Sequence, residues 1–200
     1  NLSPKQKKTL KISIIAVIII ILAIIISSTC WYTVSDKQNA VITTFGKMTG
    51  IIEEPGIHLK IPFGIQKAAL VDTNVYQKIY IGYTENADGT ITPVANESKM
   101  ITGDFNIVNI DFYVEYKVTN PEKYLYASEM PEDILKSLVQ SQIRNVVSSY
   151  NVDDVLTTKK AEIQALSKEL ISAELETYDM GLMLIDVKIQ DAEAPTEEVI

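Results

Sequence analysis

The apolar residues of the chain follow two different patterns. Residues 12–26 are apolar except for one serine, and the 24 residues between Lys11 and Asp36 carry no charge. A helix over residues 12–32 is about 31 Å long, which is enough to cross a hydrocarbon core of about 30 Å. The pattern therefore predicts a transmembrane helix over residues 12–32 that follows a basic tail, residues 1–11.

The charges on either side of this segment predict its orientation. Four lysines lie in the tail and none lies near the other end of the apolar block, an asymmetry typical of a cytoplasmic N-terminus. Trp31 and Tyr32 fall where an aromatic belt meets the opposite interface. A cleaved signal peptide has the same order of basic and apolar residues, but the block is at the upper length limit for one and no A-x-A cleavage site follows. We therefore predict an uncleaved anchor with residues 33–200 outside the cytoplasm.

After the predicted anchor, the first half of the chain has the periods and turn residues of β-strands. The clearest strand covers residues 106–118, where six apolar residues occupy the even positions from Val108 to Val118. This alternation is typical of a strand with one buried face. Shorter apolar runs separated by Gly, Pro and Asp-Gly turns predict further strands at 40–46, 68–72 and 75–83, and a polar loop or hairpin tip over 85–98.

After Asn120-Pro121 the apolar residues recur with a helical period. One predicted helix begins at Pro131 and carries an apolar stripe formed by Leu135, Leu138, Ile143, Val146 and Tyr150. A second helix, from about Thr158 to Tyr178, is predicted to end at Gly181 in a left-handed cap. Its predicted buried residues are Ile163, Leu166, Leu170 and Ala173.

The last part of the chain returns to the period of a strand. Alternation predicts that its inward residues are Met183, Ile185, Val187 and Ile189. Residues 194–200 have the Pro and acidic residues of a first helical turn. Strands followed by helices predict an α+β domain over residues 33–193, with an antiparallel or mixed sheet half and a helix-rich half.

Composition narrows the chemistry that this domain can perform. The 200 residues include one His, one Cys and one Arg, too few for a disulfide framework, an iron–sulfur cluster or a His-rich metal site. The net charge of −8 divides into +4 before the apolar block and −12 after it, which leaves no basic stripe for nucleic acid. No Gly-rich phosphate loop occurs. We therefore predict no catalytic residue, cofactor, metal site or nucleic-acid partner.

The lone His and the lone Cys are interpreted as structural residues. His58 belongs to no visible Ser-His or Cys-His motif, and Cys30 lies within the predicted membrane span, far from any wet catalytic cleft. Neither residue therefore changes the prediction that the chain is not an enzyme.

A second apolar segment lies close in sequence to the predicted anchor and brackets the turn Glu54-Pro55-Gly56. Two interpretations remain open: these residues fill the core of the sheet, or they dip into the outer leaflet and seat the domain on the bilayer. The candidate membrane-contact residues are Ile51, Ile52, Ile57, Ile61, Phe63 and Ile65.

An ordered set of segments resembles the SPFH (stomatin, prohibitin, flotillin, HflK/HflC), or band-7, family. The segments read NAVITTFGK at 39–47, EPGIHLKIPF at 54–63, TGDFNIV at 102–108, YKVTNPEKYLY at 116–126, YDMG at 178–181 and IDVKIQDA at 185–192. The later segments are closest to the HflK branch, whereas residues 54–63 resemble HflC and stomatin at least as much. No single segment is specific, but the ordered set is.

The resemblance implies a non-enzymatic membrane scaffold. HflK-like proteins are anchored by one N-terminal span, hold the SPFH domain outside the bacterial cytoplasm, and assemble with HflC-like partners into a cage around the FtsH protease. The implied partners are thus an HflC-like chain, an FtsH-type ATP-dependent membrane protease and the bilayer, in a homo- or hetero-oligomer. A long coiled-coil assembly helix would begin near Pro195. A stomatin-like organiser of membrane microdomains and a membrane-bound peptidase are the alternatives, although no nucleophile–base pair is visible for the latter.

Overall fold

The computed structural model describes residues 4–86 and 88–194, the first nine of them by their backbone alone. The chain forms two compact units that meet in sequence at Asp72 and Thr73. We call them the first unit and the second unit. The predicted helical turn at 194–200 lies outside the described residues except for Ala194, as do the first three residues of the predicted basic tail.

The first unit begins with helix α1, Pro4–Thr29. In its last turn the hydroxyls of Ser28 and Thr29 donate to the helix carbonyls of Ile25 and Ile26 at 2.8 and 3.0 Å, as hydroxyl residues in helices commonly do. The helix ends before the predicted boundary at Tyr32, because the next residues pair with another strand instead. Across the part of the chain that the structure describes, no helix combines the length and the hydropathy needed to cross a membrane.

Five strands follow α1 in the described part of the first unit. They are β1 (Trp31–Val34), β2 (Gln38–Thr44), β3 (Lys47–Ile52), β4 (Gly56–Leu59) and β5 (Gln66–Asp72). Strands β3, β2 and β5 form an antiparallel sheet in that order, and β1 pairs with β4. The strands predicted at 40–46 and 68–72 are confirmed. The fully buried apolar side chains of this unit are all small: Val34, Ala40, Val41 and Val71.

Over its described residues, the second unit contains six strands, all in antiparallel pairs. They are β6 (Gln77–Ile81), β7 (Tyr83–Glu85), β8 (Ile91–Pro93), β9 (Lys99–Ile101), β10 (Ile107–Val118) and β11 (Leu182–Glu193). The central strand β10 pairs with β11 on one side and with β6 and β9 on the other. Strands β7 and β8 form a separate hairpin that overlaps the segment predicted as a polar loop or hairpin tip.

Strand β10 confirms the strongest prediction from the sequence. All six apolar residues at its even positions are buried, and the side chains between them are half-buried or exposed. Because β10 lies in the middle of the sheet, this apolar face forms the centre of the second unit's core.

The helices of the second unit are α2 (Ala95–Ser98), α3 (Pro121–Tyr126), α4 (Pro131–Val147) and α5 (Lys160–Tyr178), with a π-helical turn at Asp154–Thr158. Asn120 caps α3 by accepting a hydrogen bond from the backbone N–H of Lys123 at 3.1 Å. Helix α4 buries four of the five predicted stripe residues, and it ends before the fifth, Tyr150, which is half-buried. The α+β class with antiparallel sheets is thus confirmed.

The predicted buried face of α5 is wrong beyond its first residue. Ile163 is buried as predicted, but Leu166 and Ala173 are exposed and Leu170 is half-buried. The other buried residues follow a spacing of four: Ser167, Ile171 and Leu175. The predicted residues follow intervals of three, four and three, whereas the buried residues recur every four, so the two faces diverge along the helix after Ile163.

The left-handed cap of α5 is Asp179, with φ 50° and ψ 42°, rather than Gly181. Gly181 also has a positive φ of 72°, but for a different reason. A side chain at this position would collide with the backbone carbonyl of Asn120. Gly181 thus permits close packing between two backbone segments rather than the end of the helix.

The predicted inward face of β11 is wrong in its first half. Leu182 and Leu184 are buried, whereas Met183 is exposed and Ile185 is half-buried. Opposite Glu115 and Tyr116 of β10, the partners are Asp186 and Leu184, so Ile185 is an extra, bulged residue. A bulge reverses the alternation on one side of it, and only Val187 and Ile189 therefore keep the predicted phase.

Candidate functional site

The apolar segment around the Pro-Gly turn of the first unit lies at the protein surface. Strand β4 exposes the side chains of Ile57 and Leu59 at 72% and 82%. On the paired strand, Trp31 lies directly opposite Leu59 and is also exposed. Side chains of directly paired residues lie on the same side of a sheet, so these three form one apolar face.

The opposite face of β4 carries His58, which is held by local contacts. Its Nε2 lies 2.8 Å from the backbone carbonyl oxygen of Glu54, and its ring lies 5.7 Å from the ring of Tyr32. These contacts fit a structural His that fixes the turn before β4. They supply neither a nucleophile nor a carboxylate for catalysis.

A tight turn after β4 presents Phe63 to solvent. The N–H of Ile65 donates to the carbonyl of Pro62 at 3.4 Å, and the two residues between them, Phe63 and Gly64, have φ values of 64° and 76°. A turn with two left-handed central residues resembles the type I′ turn of hairpins. The Phe63 side chain is 74% exposed.

A second turn of the same kind connects β2 and β3. Its central residues, Phe45 and Gly46, have φ values of 50° and 83°, and the Phe45 side chain is 81% exposed. The N–H of Phe45 donates to the carbonyl of Ile65 at 2.8 Å, so the two turns are joined through their backbones. A bulky residue in the left-handed region is strained, and such strain is often found at functional sites.

Side-chain amide and hydroxyl groups brace these two turns. The Gln66 side chain accepts from the N–H of Ile61 at 2.9 Å and donates to the Thr44 hydroxyl at 3.3 Å. Hydrogen bonds therefore link the two turns to each other and to the sheet. The side chains of Phe45 and Phe63, in contrast, remain exposed to solvent.

The six candidate membrane-contact residues divide into two groups. Ile57, Ile61 and Phe63 are exposed, as the membrane-contact interpretation requires. Ile51, Ile52 and Ile65 are half-buried, and the first two line a shallow cleft with Glu53, Glu54 and His58. The alternative, that the whole segment fills the sheet core, does not describe the exposed group.

Besides Trp31, which the sequence places in the aromatic belt, two further residues of this surface, Phe45 and Leu59, are absent from the candidate membrane-contact residues. A signal was present for both. The dipeptide Phe-Gly occurs at 45–46 and again at 63–64, and Leu59 is two residues after Ile57 in a strand. We define the apolar surface of the first unit as Trp31, Phe45, Ile57, Leu59, Ile61 and Phe63.

This surface can bind an apolar phase but offers no visible chemistry. Burial of one exposed Phe, Leu or Ile side chain contributes roughly 1.5–3 kcal/mol, so several of them together could hold the unit against a bilayer. Among the described residues, no cluster of three or more His, Cys, Asp or Glu side chains could hold a metal ion. Cys30, at the end of α1, is half-buried and unpaired with another Cys.

Comparison with known proteins identifies the family of the chain. Residues 32–199 match the model of the SPFH domain / Band 7 family. "Modulator of FtsH protease HflK" of Escherichia coli K12 is 31% identical over 176 residues, which cover 88% of this chain and 38% of that protein. "Protein HflK" of Borreliella burgdorferi is 27% identical over 194 residues, which cover 96% of this chain and 61% of that protein. The chain thus spans less than two thirds of either relative.

Proposed function

The chain belongs to the SPFH domain, or Band 7, family, and on this premise we propose that it is a membrane-anchored, HflK-like scaffold that modulates an FtsH-type protease. The similar protein of Escherichia coli carries the name of a modulator of that protease. Because this chain corresponds to 38% of that protein, the activity and partners of the whole protein are part of the proposal.

The observation that carries the proposal is the apolar surface of the first unit. Exposed Phe, Leu and Ile side chains on braced turns are unfavourable in water and favourable at a bilayer surface. We propose that this surface seats the domain on the outer leaflet. The contact would include the candidate set and the other residues of the apolar surface: Ile51, Ile52, Ile57, Ile61, Phe63 and Ile65, with Trp31, Phe45 and Leu59.

The proposed anchor is residues 12–32, with residues 1–11 in the cytoplasm and the SPFH domain over residues 33–193 outside it. The stretch without charge from 12 to 35 supports this assignment. So do the apolar side chains of α1, which are exposed on all sides from Ile14 to Ile25 and would be buried by lipid. The location proposed for the protein is therefore the bacterial cell membrane.

We propose that the protein acts by assembly rather than by catalysis. An HflC-like SPFH chain would be its partner, and together they would surround an FtsH-type protease and control which substrates reach it. A helix beginning near residue 194 would extend the assembly. The non-catalytic role is supported by the family and by the absence of a recognisable nucleophile–base motif in the sequence.

Co-purification tests the partners. The full chain, tagged and expressed in a bacterial membrane, is solubilised in a mild detergent and captured. We expect an FtsH-type ATPase and a second SPFH chain to be recovered together, and no proteolysis once the ATPase is removed. Recovery of lipids without either protein would favour a stomatin-like organiser, and proteolysis abolished by one Ser or Asp substitution would show a peptidase. Either outcome contradicts the proposal.

Lipid protection tests the membrane contact separately. The double variant Ile61→Asp, Phe63→Asp places charges on the surface, and both positions are exposed enough to keep the fold. We expect lipid vesicles to protect residues 57–65 from proteolysis or hydrogen exchange in the wild-type chain but not in the variant. Ile91→Asp, at an exposed apolar position of the second unit, is the matched control and should leave protection unchanged. Equal protection of the wild type and the double variant would disprove the contact.

A further inference from the structure

Charged side chains of the first unit are divided between the two ends of its three-stranded sheet. All four acidic residues of the unit lie at the end where β2 begins: Asp36, Glu53, Glu54 and Asp72. Three lysines lie at the end where β2 finishes: Lys47, Lys60 and Lys67. We call these three residues the lysine group.

Two members of the lysine group flank the turn that carries Phe45. Lys47 begins β3 and pairs with Thr44, the last residue of β2. Lys67 pairs with the preceding residue of β2, Thr43. Because neighbouring residues of a strand point to opposite faces of a sheet, the two lysines lie on opposite faces beside this turn.

The third member, Lys60, lies beside the end of α1. Its backbone N–H donates to the carbonyl of Cys30, the residue after α1, at 2.7 Å. It also directly precedes Ile61 of the apolar surface. The fold therefore brings a cation to the end of the proposed anchor that carries the domain, although residues 12–32 contain no charge themselves.

The ammonium groups of the lysine group are available to a partner. Lys47 and Lys67 are exposed, and Lys60 is half-buried. The ion pairs of the described residues use six other lysines: Lys78, Lys123, Lys136, Lys159, Lys168 and Lys188. The seven residues of β2 separate the lysine group from the acidic end by about 20 Å, more than twice the Debye length of about 8 Å at physiological ionic strength. The acidic end therefore does little to neutralise these lysines.

An apolar surface bordered by cations has the chemistry that an anionic bilayer requires. The exposed Phe, Leu and Ile side chains can enter the acyl chains, and the phosphate groups lie immediately outside them. A lysine buries its aliphatic stem along an apolar surface and holds its ammonium group in the headgroup layer. There it adds an attraction to anionic lipids that apolar side chains alone do not supply.

We propose that the lysine group makes the membrane contact of the first unit selective for anionic phospholipids. The apolar surface inserts among the acyl chains, and the lysines pair with the headgroup phosphates around it. Charge complementarity carries the choice of occupant, because the whole chain has a net charge of −8 whereas this end of the unit presents three cations. An anionic surface repels the rest of the chain, so the same lysines turn this end of the unit toward the lipid.

This selectivity deepens the proposed membrane contact and rests on it. The test uses the full chain reconstituted in vesicles of phosphatidylcholine alone, or of phosphatidylcholine and phosphatidylglycerol in a two-to-one mixture. Hydrogen exchange of residues 45–47 and 57–67 reports the contact. We expect exchange to be slower in the mixture by on the order of 100-fold, since each lysine near an anionic surface contributes about fivefold. In about 1 M salt, where the Debye length falls to about 3 Å, the difference between the two lipids should disappear.

Removal of the lysine charges separates the selectivity from the contact itself. Glutamine keeps a polar side chain at each position, and the change is the triple variant Lys47→Gln, Lys60→Gln, Lys67→Gln. We expect this variant to exchange at the same rate in both kinds of vesicle, and as fast as the wild type does in phosphatidylcholine alone. Circular dichroism checks that the fold is retained.

A matched control removes the same number of charges elsewhere. It combines a lysine of the turn before β2, at the acidic end of the sheet, with two lysines of the second unit: Lys37→Gln, Lys117→Gln and Lys160→Gln. The control should keep the full difference between the two lipids, because the lysine group is intact.

The outcomes distinguish the selectivity from the contact on which it rests. Equal exchange of the wild type in both kinds of vesicle would overturn the inference and leave the membrane contact standing. A control variant that loses the difference would overturn it as well, since net charge alone would then explain the result. A difference that persists in high salt would assign the preference to packing instead of charge. Exchange that neither lipid slows would contradict the membrane contact and the inference together, whereas the partners of the scaffold are tested separately by co-purification.

Discussion

The first unit leaves its largest apolar side chains at the surface, whereas the second unit buries large aromatic and aliphatic side chains in a core and exposes others, such as Phe105. In the first unit the buried apolar residues are three valines and one alanine, while Trp31, Phe45 and Phe63 are exposed. In the second unit Phe112 and Tyr116 are buried beneath the helices, together with apolar residues of α4, α5 and β11. The second unit therefore contains the core that stabilises it in water, and the first unit leaves large apolar side chains in contact with solvent, which is the basis of the proposed membrane contact.

Removal of one large apolar side chain from each unit should give the largest difference in the free energy of unfolding. Phe112→Ala leaves a cavity in the centre of the second unit and should lower the free energy of unfolding by about 3–5 kcal/mol. Phe63→Ala removes a side chain that is already in solvent, so it should change the free energy of unfolding by less than about 0.5 kcal/mol. Urea unfolding followed by circular dichroism, with hydrogen exchange to separate the units, measures both. Similar losses for the two variants would mean that the units do not differ as described.

Two glycines with nearly the same backbone conformation sharpen the comparison. Gly64 in the first unit and Gly181 in the second have φ values of 76° and 72°. A Cβ atom added at Gly64 has no atom within 4 Å. Gly64→Ala should therefore lower the free energy of unfolding only by the penalty for a left-handed backbone, about 1–2 kcal/mol. Gly181→Ala also collides with the carbonyl of Asn120, which should add about 1–3 kcal/mol. Thermal unfolding of both variants measures the difference, and a Gly64→Ala variant as unstable as Gly181→Ala would contradict it.

Relief of backbone strain at an exposed phenylalanine should separate stability from binding. Asn tolerates the left-handed region, so Phe45→Asn and Phe105→Asn should each raise the free energy of unfolding by up to about 1 kcal/mol. Phe45→Asn should weaken binding to lipid vesicles, whereas Phe105→Asn, in the second unit, should leave this binding intact. Urea unfolding measures the stability and vesicle flotation measures the binding. Phe105→Asn is the control, and equally weakened vesicle binding of both variants would show that the effect is not specific to the apolar surface of the first unit.

The smallest expected effect is a response to pH that is confined to the turn between β9 and β10, residues 102–106. Hydrogen bonds, first from the Thr102 hydroxyl and then from the N–H of Val152, hold the pKa of Asp104 below its usual value of 3.8. A carboxyl group with a lowered pKa contributes stability that is present above its unfolded-state pKa and is lost as the pH falls through the folded-state pKa. Acid should therefore loosen this turn.

The amide resonance of Val152 reports this titration directly. We expect its NMR shift to follow a midpoint below 3.8 and to lose its pH dependence in Asp104→Asn. The amide of Ile61, which donates to Gln66 rather than to a carboxylate, serves as the control in the first unit. A midpoint at or above 3.8 would show that the Asp104 contacts are not formed in solution.

The local periods of the sequence predict the elements that pack with a regular repeat. The alternation of residues 108–118 predicts β10 and its buried face, and the stripe of α4 predicts four of its buried residues. The family resemblance also follows from the sequence, because ordered motifs are a property of the chain itself. These features depend on residues that are near one another in sequence, where a period of two or 3.6 is directly visible.

The membrane-contact candidates could be found in the sequence, but their environment could not. Apolar runs near a turn fit either a buried strand or an exposed surface, and only the other layers of the fold determine which one they form. The structure leaves Ile57 and Phe63 uncovered and adds Phe45 and Leu59 to the same surface. The dipeptide Phe-Gly occurs in both turns. The sequence alone does not show that both of its residues have positive φ values there.

The sequence by itself determined the apolar segment, the order of strands and helices, the scarcity of reactive side chains and the family. The tertiary structure decided the spacing of the buried residues along α5, the bulge at Ile185 that reverses one half of β11, and the difference between one unit with an exposed apolar surface and another with a closed core. The physical reason is the same in each case. A bulge, a helical phase and the cover over an apolar face are set by contacts between residues far apart in the chain, which no local period contains.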